Sequence, residues 1–151
     1  MRRGLKACQT TGAQAYVPYN LALLADMCRA ANDTAEARTL LDEALAQLAE
    51  TDSRYCEAEL LCIDGELKLA MAAPDRKGAE DAFRRAVALA HKQEAKAVEL
   101  RAVMCLAFLW AAQGKRSEAR ELLAPVYGWF SEGFGTVTLT QAKQMKDALR
   151  A

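Results

Sequence analysis

The side chains with which this chain could bind a metal, attack a carbonyl or move a proton are one histidine, five cysteines and a scatter of carboxylates. A zinc site needs thiolates in close pairs, with histidine or more cysteine nearby. The nearest pair, Cys56 and Cys62, is too widely spaced for a CxxC clip, and the single histidine, His91, lies far along the chain. A nucleophilic serine or cysteine needs a base at hand, and none stands in a recognisable relation to one. Gly114-Lys115 lacks the preceding glycine and the following Ser or Thr of a phosphate-cradling loop. The carboxylates read as solvated helix surface and form no recognisable acid–base or ligand motif. These residues predict a protein that is not an enzyme, with no catalytic, metal or cofactor site. His91 reads as a polar residue near a helix end, where a cation is favourable.

The elements that would carry such residues are helical. Hydrophobic residues make up 52% of the 151 positions, enough for a substantial core without disulfides. An odd cysteine count (Cys8, Cys28, Cys56, Cys62 and Cys105), mostly among apolar helical residues, predicts small hydrophobes in a reducing compartment. Twenty basic and twenty acidic residues cancel, which disfavours nucleic acid and anionic membranes as partners. No apolar run approaches the length of a membrane span and no leader follows Met1-Arg2-Arg3, so the expected location is cytoplasmic. Asn32-Asp33-Thr34 reads as a helix-capping turn rather than a glycosylation site.

Leu100, Val103, Leu106, Ala107 and Trp110 share one helical face; Ala119, Leu122, Leu123, Val126 and Tyr127 share another beyond the break at Gln113-Gly114-Lys115-Arg116. That is a helical hairpin over about 95–131, and similar patterns predict hairpins over about 13–50 and 54–93. Asp33 with Glu36, and Thr138 with Gln141, read as capping boxes. A last amphipathic helix at about 138–150 has Leu139, Ala142, Met145 and Leu149 inward. Ala37, Ala79 and Ala119 recur at intervals of 42 and 40 residues, longer than the ~34 of a tetratricopeptide (TPR) repeat. Within hairpins the small residues are spaced as in TPRs: Ala25 to Ala37 and Ala107 to Ala119 are each 12 apart, and Gly65 to Ala79 is 14. The predicted fold is a single all-α domain, 1–151: a TPR-like right-handed α-solenoid of about three long hairpins with a C-terminal capping helix. Residues 1–12 read as the remnant of a preceding repeat. In the helix at 54–72 two registers compete. One places Gly65 at the small-residue position, with Asp64 and Lys68 where apolar residues belong; the other, preferred, turns Leu60, Ile63, Leu67 and Met71 inward. Pro125 should kink its helix near Glu121. Glu80–Arg84 and Asp81–Arg85 read as solvated i,i+4 pairs, and Tyr127, Trp129 and Phe130 as core.

A solenoid of hairpins is concave where its first helices line up. TPR spacing puts Tyr19, Asp26, Arg29, Glu59, Glu66, Arg101, Met104 and Phe108 on that face, a mixed charged and apolar groove suited to a peptide or helix, with Tyr19 and Phe108 as anchors. The first expectation is therefore a non-catalytic scaffold for a protein or peptide. The alternative is a regulatory domain in which a small-molecule effector sits between the first helices.

From Ala95 to Phe134 the chain resembles a known group on Glu99-Leu100-Arg101, Leu106-Ala107, Trp110, Gln113-Gly114, Glu118-Ala119, Leu122-Leu123-Ala124-Pro125-Val126-Tyr127, Trp129-Phe130 and Glu132-Gly133-Phe134. The group is the C-terminal TPR-like region of multidomain bacterial signalling proteins that join a class III nucleotide cyclase or DNA-binding module to an AAA-type ATPase. Weaker similarity covers Tyr19 to Ala25 and Ala58 to Leu60. Gly135 and Thr138-Leu139 depart from the Asp and Asp-Leu common there. The resemblance implies a regulatory segment whose partner is the ATPase or cyclase part of a parent protein, and a fragment or truncated paralogue of a longer chain. An uncovered N-terminal end, with Leu5 and Leu21 apolar, further predicts a homodimer through residues 1 to 30.

Overall fold

The structure, a computed structural model, describes residues 16–50 and 54–150. The remnant repeat at 1–12, with Leu5 and Cys8, and the turn at Thr51-Asp52-Ser53 lie outside the described residues. Among the described residues the chain forms seven helices and no strand: α1 (Val17–Ala30), α2 (Thr34–Glu50), α3 (Glu57–Ala70), α4 (Arg76–Lys92), α5 (Lys96–Ala112), α6 (Arg116–Gly128) and α7 (Val137–Ala148). None is long and apolar enough to cross a membrane.

Local chemistry sets the ends. Pro18 sits in the first turn of α1, where an amide donor would have had no partner. Asn32 turns the chain with a φ of 62°, and Asp33 Oδ1 then accepts the Glu36 amide at 3.1 Å at the start of α2. Asp75 accepts the Gly78 amide at 2.8 Å and opens α4. Gly114, with a φ of 83°, makes the sharp turn from α5 into α6 that a residue with a Cβ would resist. The Thr138–Gln141 capping box does not form. The last helix begins one residue earlier, with Thr136 at its N-cap and no capping side-chain hydrogen bond.

Neighbouring helices pack together along the chain, α1 with α2, α3 with α4, α4 with α5 and α5 with α6. Central position follows from composition, since a helix apolar on several sides must be covered on several sides. Thus α3 touches α1, α2, α4 and α5, while α5 touches α3, α4, α6 and α7. Ala25, Ala37, Ala79, Ala107 and Ala119 are wholly buried, and Gly65 is buried with them.

The helix over 57–70 resolves its two registers by burying both. Leu60, Ile63 and Leu67 join Leu21, Leu41 and Ala44 in the core of α1 and α2. Leu61 and Cys62 meet Ala86 and Ala102 on the other side, and Gly65 lies under Phe83. Asp64 and Lys68 are accommodated because they pair with one another and Asp64 accepts Arg38 of α2 at 2.7 Å. Met71 does not turn inward; it follows the helix end in extended backbone and is 56% exposed.

Three further expectations need correction. Trp129 is not core: it is 60% exposed, edge-on to Phe130 at 5.2 Å. Tyr127 and Phe130 are half-buried against the α5–α7 core. Asp81 and Arg85 stay exposed and form no ion pair among the described residues. Glu80 is more than a solvated partner of Arg84, because its Oε1 also accepts Trp110 Nε1 from α5 at 3.0 Å, which holds its carboxyl below the usual range. Leu139, Ala142, Met145 and Leu149 of α7 do face inward.

Candidate binding face

Asp26 and Arg29 lie one turn apart on α1, Glu66 on α3 and Arg101 on α5, and the packing of these helices draws all four into one ionic cluster. Arg29 donates to Asp26 Oδ1 at 2.8 Å and its Nε lies 3.3 Å from Glu66 Oε2. Arg101 Nη2 reaches Asp26 Oδ2 at 3.2 Å and Glu66 Oε2 at 3.7 Å. Burial would lower the Arg101 pKa, but Asp26 and Glu66 outweigh it and hold the guanidinium charged. Charges fixed this way set geometry more than stability, since desolvation offsets much of the attraction.

A cavity opens on each side of the cluster. The first, about 450 Å³, is lined by Arg29, Glu66, Phe83, Met104, Phe108 and Met145, together with Leu69, Ala70 and Cys105. Phe108 stands at this cavity 64% exposed. The second, about 460 Å³, has Glu59 and Arg101 on one side and Phe130, Glu132, Thr136, Thr138 and Leu139 from the end of the chain on the other. Burial pushes the Glu59 carboxyl up, against the opposing charge of Arg101.

Of the eight residues expected on this face, Asp26, Arg29, Glu66 and Arg101 form the cluster, Met104 and Phe108 line the first cavity with Arg29 and Glu66, and Glu59 lines the second. Tyr19 joins neither. It packs on the α1–α2 core with its ring 6.4 Å from that of Tyr55. Cys105 and Met145 went unforeseen as lining residues, as did Phe130, Thr136 and Thr138. Cys105, read from the sequence as a small hydrophobe, packs against the α4–α5 core and also lines the first cavity 3.6 Å from Glu66 Oε1, and contact with Cys62 pushes its thiol pKa up. Its position four residues from Arg101 was the available signal.

His91 is tied into the fold rather than into a site. Its Nδ1 lies 2.8 Å from Oε1 of buried Glu99, whose Oε2 accepts Lys96 at 2.7 Å. Burial would raise the Glu99 pKa; the hydrogen bonds to Lys96 and His91 reverse this and hold it below the usual range. Among the described residues no three His, Cys, Asp or Glu side chains converge as metal ligands would. No family model matches the chain, and no curated protein matches it.

Proposed function

We propose that this all-helical chain is a TPR-like scaffold of lengthened helical hairpins capped by α7, and that it binds a protein or peptide on the face shared by α1, α3 and α5. The observation that carries the reading is Phe108, an aromatic ring left largely exposed beside an apolar cavity. A large apolar side chain of a partner would enter between Met104, Phe108 and Met145, with the Asp26–Arg29–Glu66–Arg101 cluster fixing its orientation. Exposed aromatic and methionine surface beside ordered charges is the usual make-up of a binding hot spot. In this reading the chain does no chemistry, works in the cytoplasm, and regulates a signalling ATPase or cyclase of the kind its Ala95–Phe134 segment resembles. Selection from a displayed random-peptide library, run beside a thermal-shift screen of metabolites, tests it. Selected peptides that compete for the Phe108 cavity support the scaffold; saturable metabolite stabilisation with no peptide selected overturns it.

The effector-sensing alternative is favoured by one observation, the convergence of Glu59, Glu132, Thr136 and Thr138 around the second cavity.

A further inference from the structure

Glu59 of α3 is a half-buried carboxylate with no hydrogen bond and no ion pair within 4 Å among the described residues. Arg101, beside it in the cavity lining, is committed to Asp26 and Glu66 on its other side. Glu132, the other charged residue of that lining among the described residues, is also acidic and makes no ion pair with them. The remaining lining is apolar or hydroxylic: Val98, Leu100, Leu139 and the ring of Phe130, with Thr136 and Thr138 at the start of α7. Arg101 offsets the burial of Glu59 only through its longer-range charge, and a half-buried carboxylate with no direct hydrogen-bonded or ion-paired cation gains from a guest that supplies one. An aromatic ring and hydroxyl oxygens suit the same guest, the ring by its negative face and the oxygens as acceptors.

We propose that this second cavity is a binding site for a primary ammonium on an apolar stem, with Glu59 as its counter-ion. Glu132 adds a second negative charge, Thr136 and Thr138 offer acceptors, and the stem lies along Leu100, Leu139 and Phe130. The ammonium is that of a free alkylamine or of a lysine side chain in a peptide. The site does not involve Phe108 or Met104, so it stands or falls separately from the peptide groove.

Titration of the full chain with n-pentylamine, with N-acetyl-lysine N-methylamide and with n-pentanol, followed by amide chemical shifts, tests it. At least one amine should saturate and shift resonances around Glu59, Thr136 and Thr138, while the isosteric alcohol does not. Saturation by both marks a general ammonium site, and saturation by the lysine derivative alone assigns the guest to a peptide. Glu59→Gln should weaken binding roughly tenfold, and Glu132→Gln, on the exposed rim, less; Phe108→Ser should leave it unchanged. Binding of the alcohol as strongly as the amines overturns the proposal. So does saturation by neither amine, or amine binding indifferent to both glutamine variants.

Discussion

Gly65 of α3 and Phe83 of α4 are in contact where no side chain on residue 65 could fit: a Cβ built there would stand 2.8 Å from both Cδ1 and Cζ of the ring. The glycine lets two helices approach until an aromatic ring covers the backbone of one of them. Replacing glycine by alanine inside a helix ordinarily gains ~1 kcal/mol. Here overpacking, which costs roughly 1–3 kcal/mol, outweighs that gain. Gly65→Ala is expected to lower the melting temperature, and adding Phe83→Leu to recover part of the loss. Thermal unfolding of the single and double variants checks it.

Ala107 is wholly buried in the same core as wholly buried Ala119. Ala107→Leu adds volume to a filled site, and a loss of roughly 1–3 kcal/mol is expected. Urea unfolding reads it directly, and an unchanged midpoint would show that these alanines do not mark a close helix contact.

The buried Glu99 carboxylate gives stability a pH dependence. Its pKa is lower folded than unfolded, so the stabilisation is complete above the ordinary glutamate value, ~4.3, and is lost as pH falls through the folded value. Glu99→Gln should cost about 1–2 kcal/mol at neutral pH, since Lys96 and His91 lose a charge-assisted acceptor. The gap between wild type and variant should close in acid, which paired unfolding curves across pH would show.

Trp110 and Trp129 should separate by fluorescence. Trp129 is exposed, whereas Trp110 is half-buried with its indole donating to Glu80 and Arg84 stacked 5.0 Å from its ring centre. Iodide should quench the emission that Trp129→Phe removes. Trp110→Phe should cost about 1 kcal/mol through the lost hydrogen bond.

The helical class was legible because periodicity is a local signal. The apolar stripes of α1, α5 and α7 were read from their spacing, and the small residues that mark helix contacts proved buried. What local pattern could not show was which neighbour each face meets. The helix over 57–70 carried two plausible inward rows because it is covered on both sides, and the charges that argued against one row are matched by Arg38 from another helix. Trp129 was assigned to core by its place in the returning helix beside the last one, but it sits just past the end of α6, where Phe130 and the Lys96 ammonium lie against its ring and still leave it largely exposed. The ionic cluster was visible only as four charges on one expected face. The cavities beside it depend on α7 folding back onto α5, which brings Met145 and Leu139 within reach of α5 residues.

The central claim is that the face beside Phe108 docks a partner. Its most direct measurement is the affinity of library-selected peptides for the wild-type chain and for Phe108→Ser and Met104→Ser, with each variant's melting temperature recorded alongside. Phe108 is largely exposed, so its loss should leave stability unchanged while weakening the peptides roughly tenfold or more. Peptides that bind both variants as tightly as wild type would contradict the account.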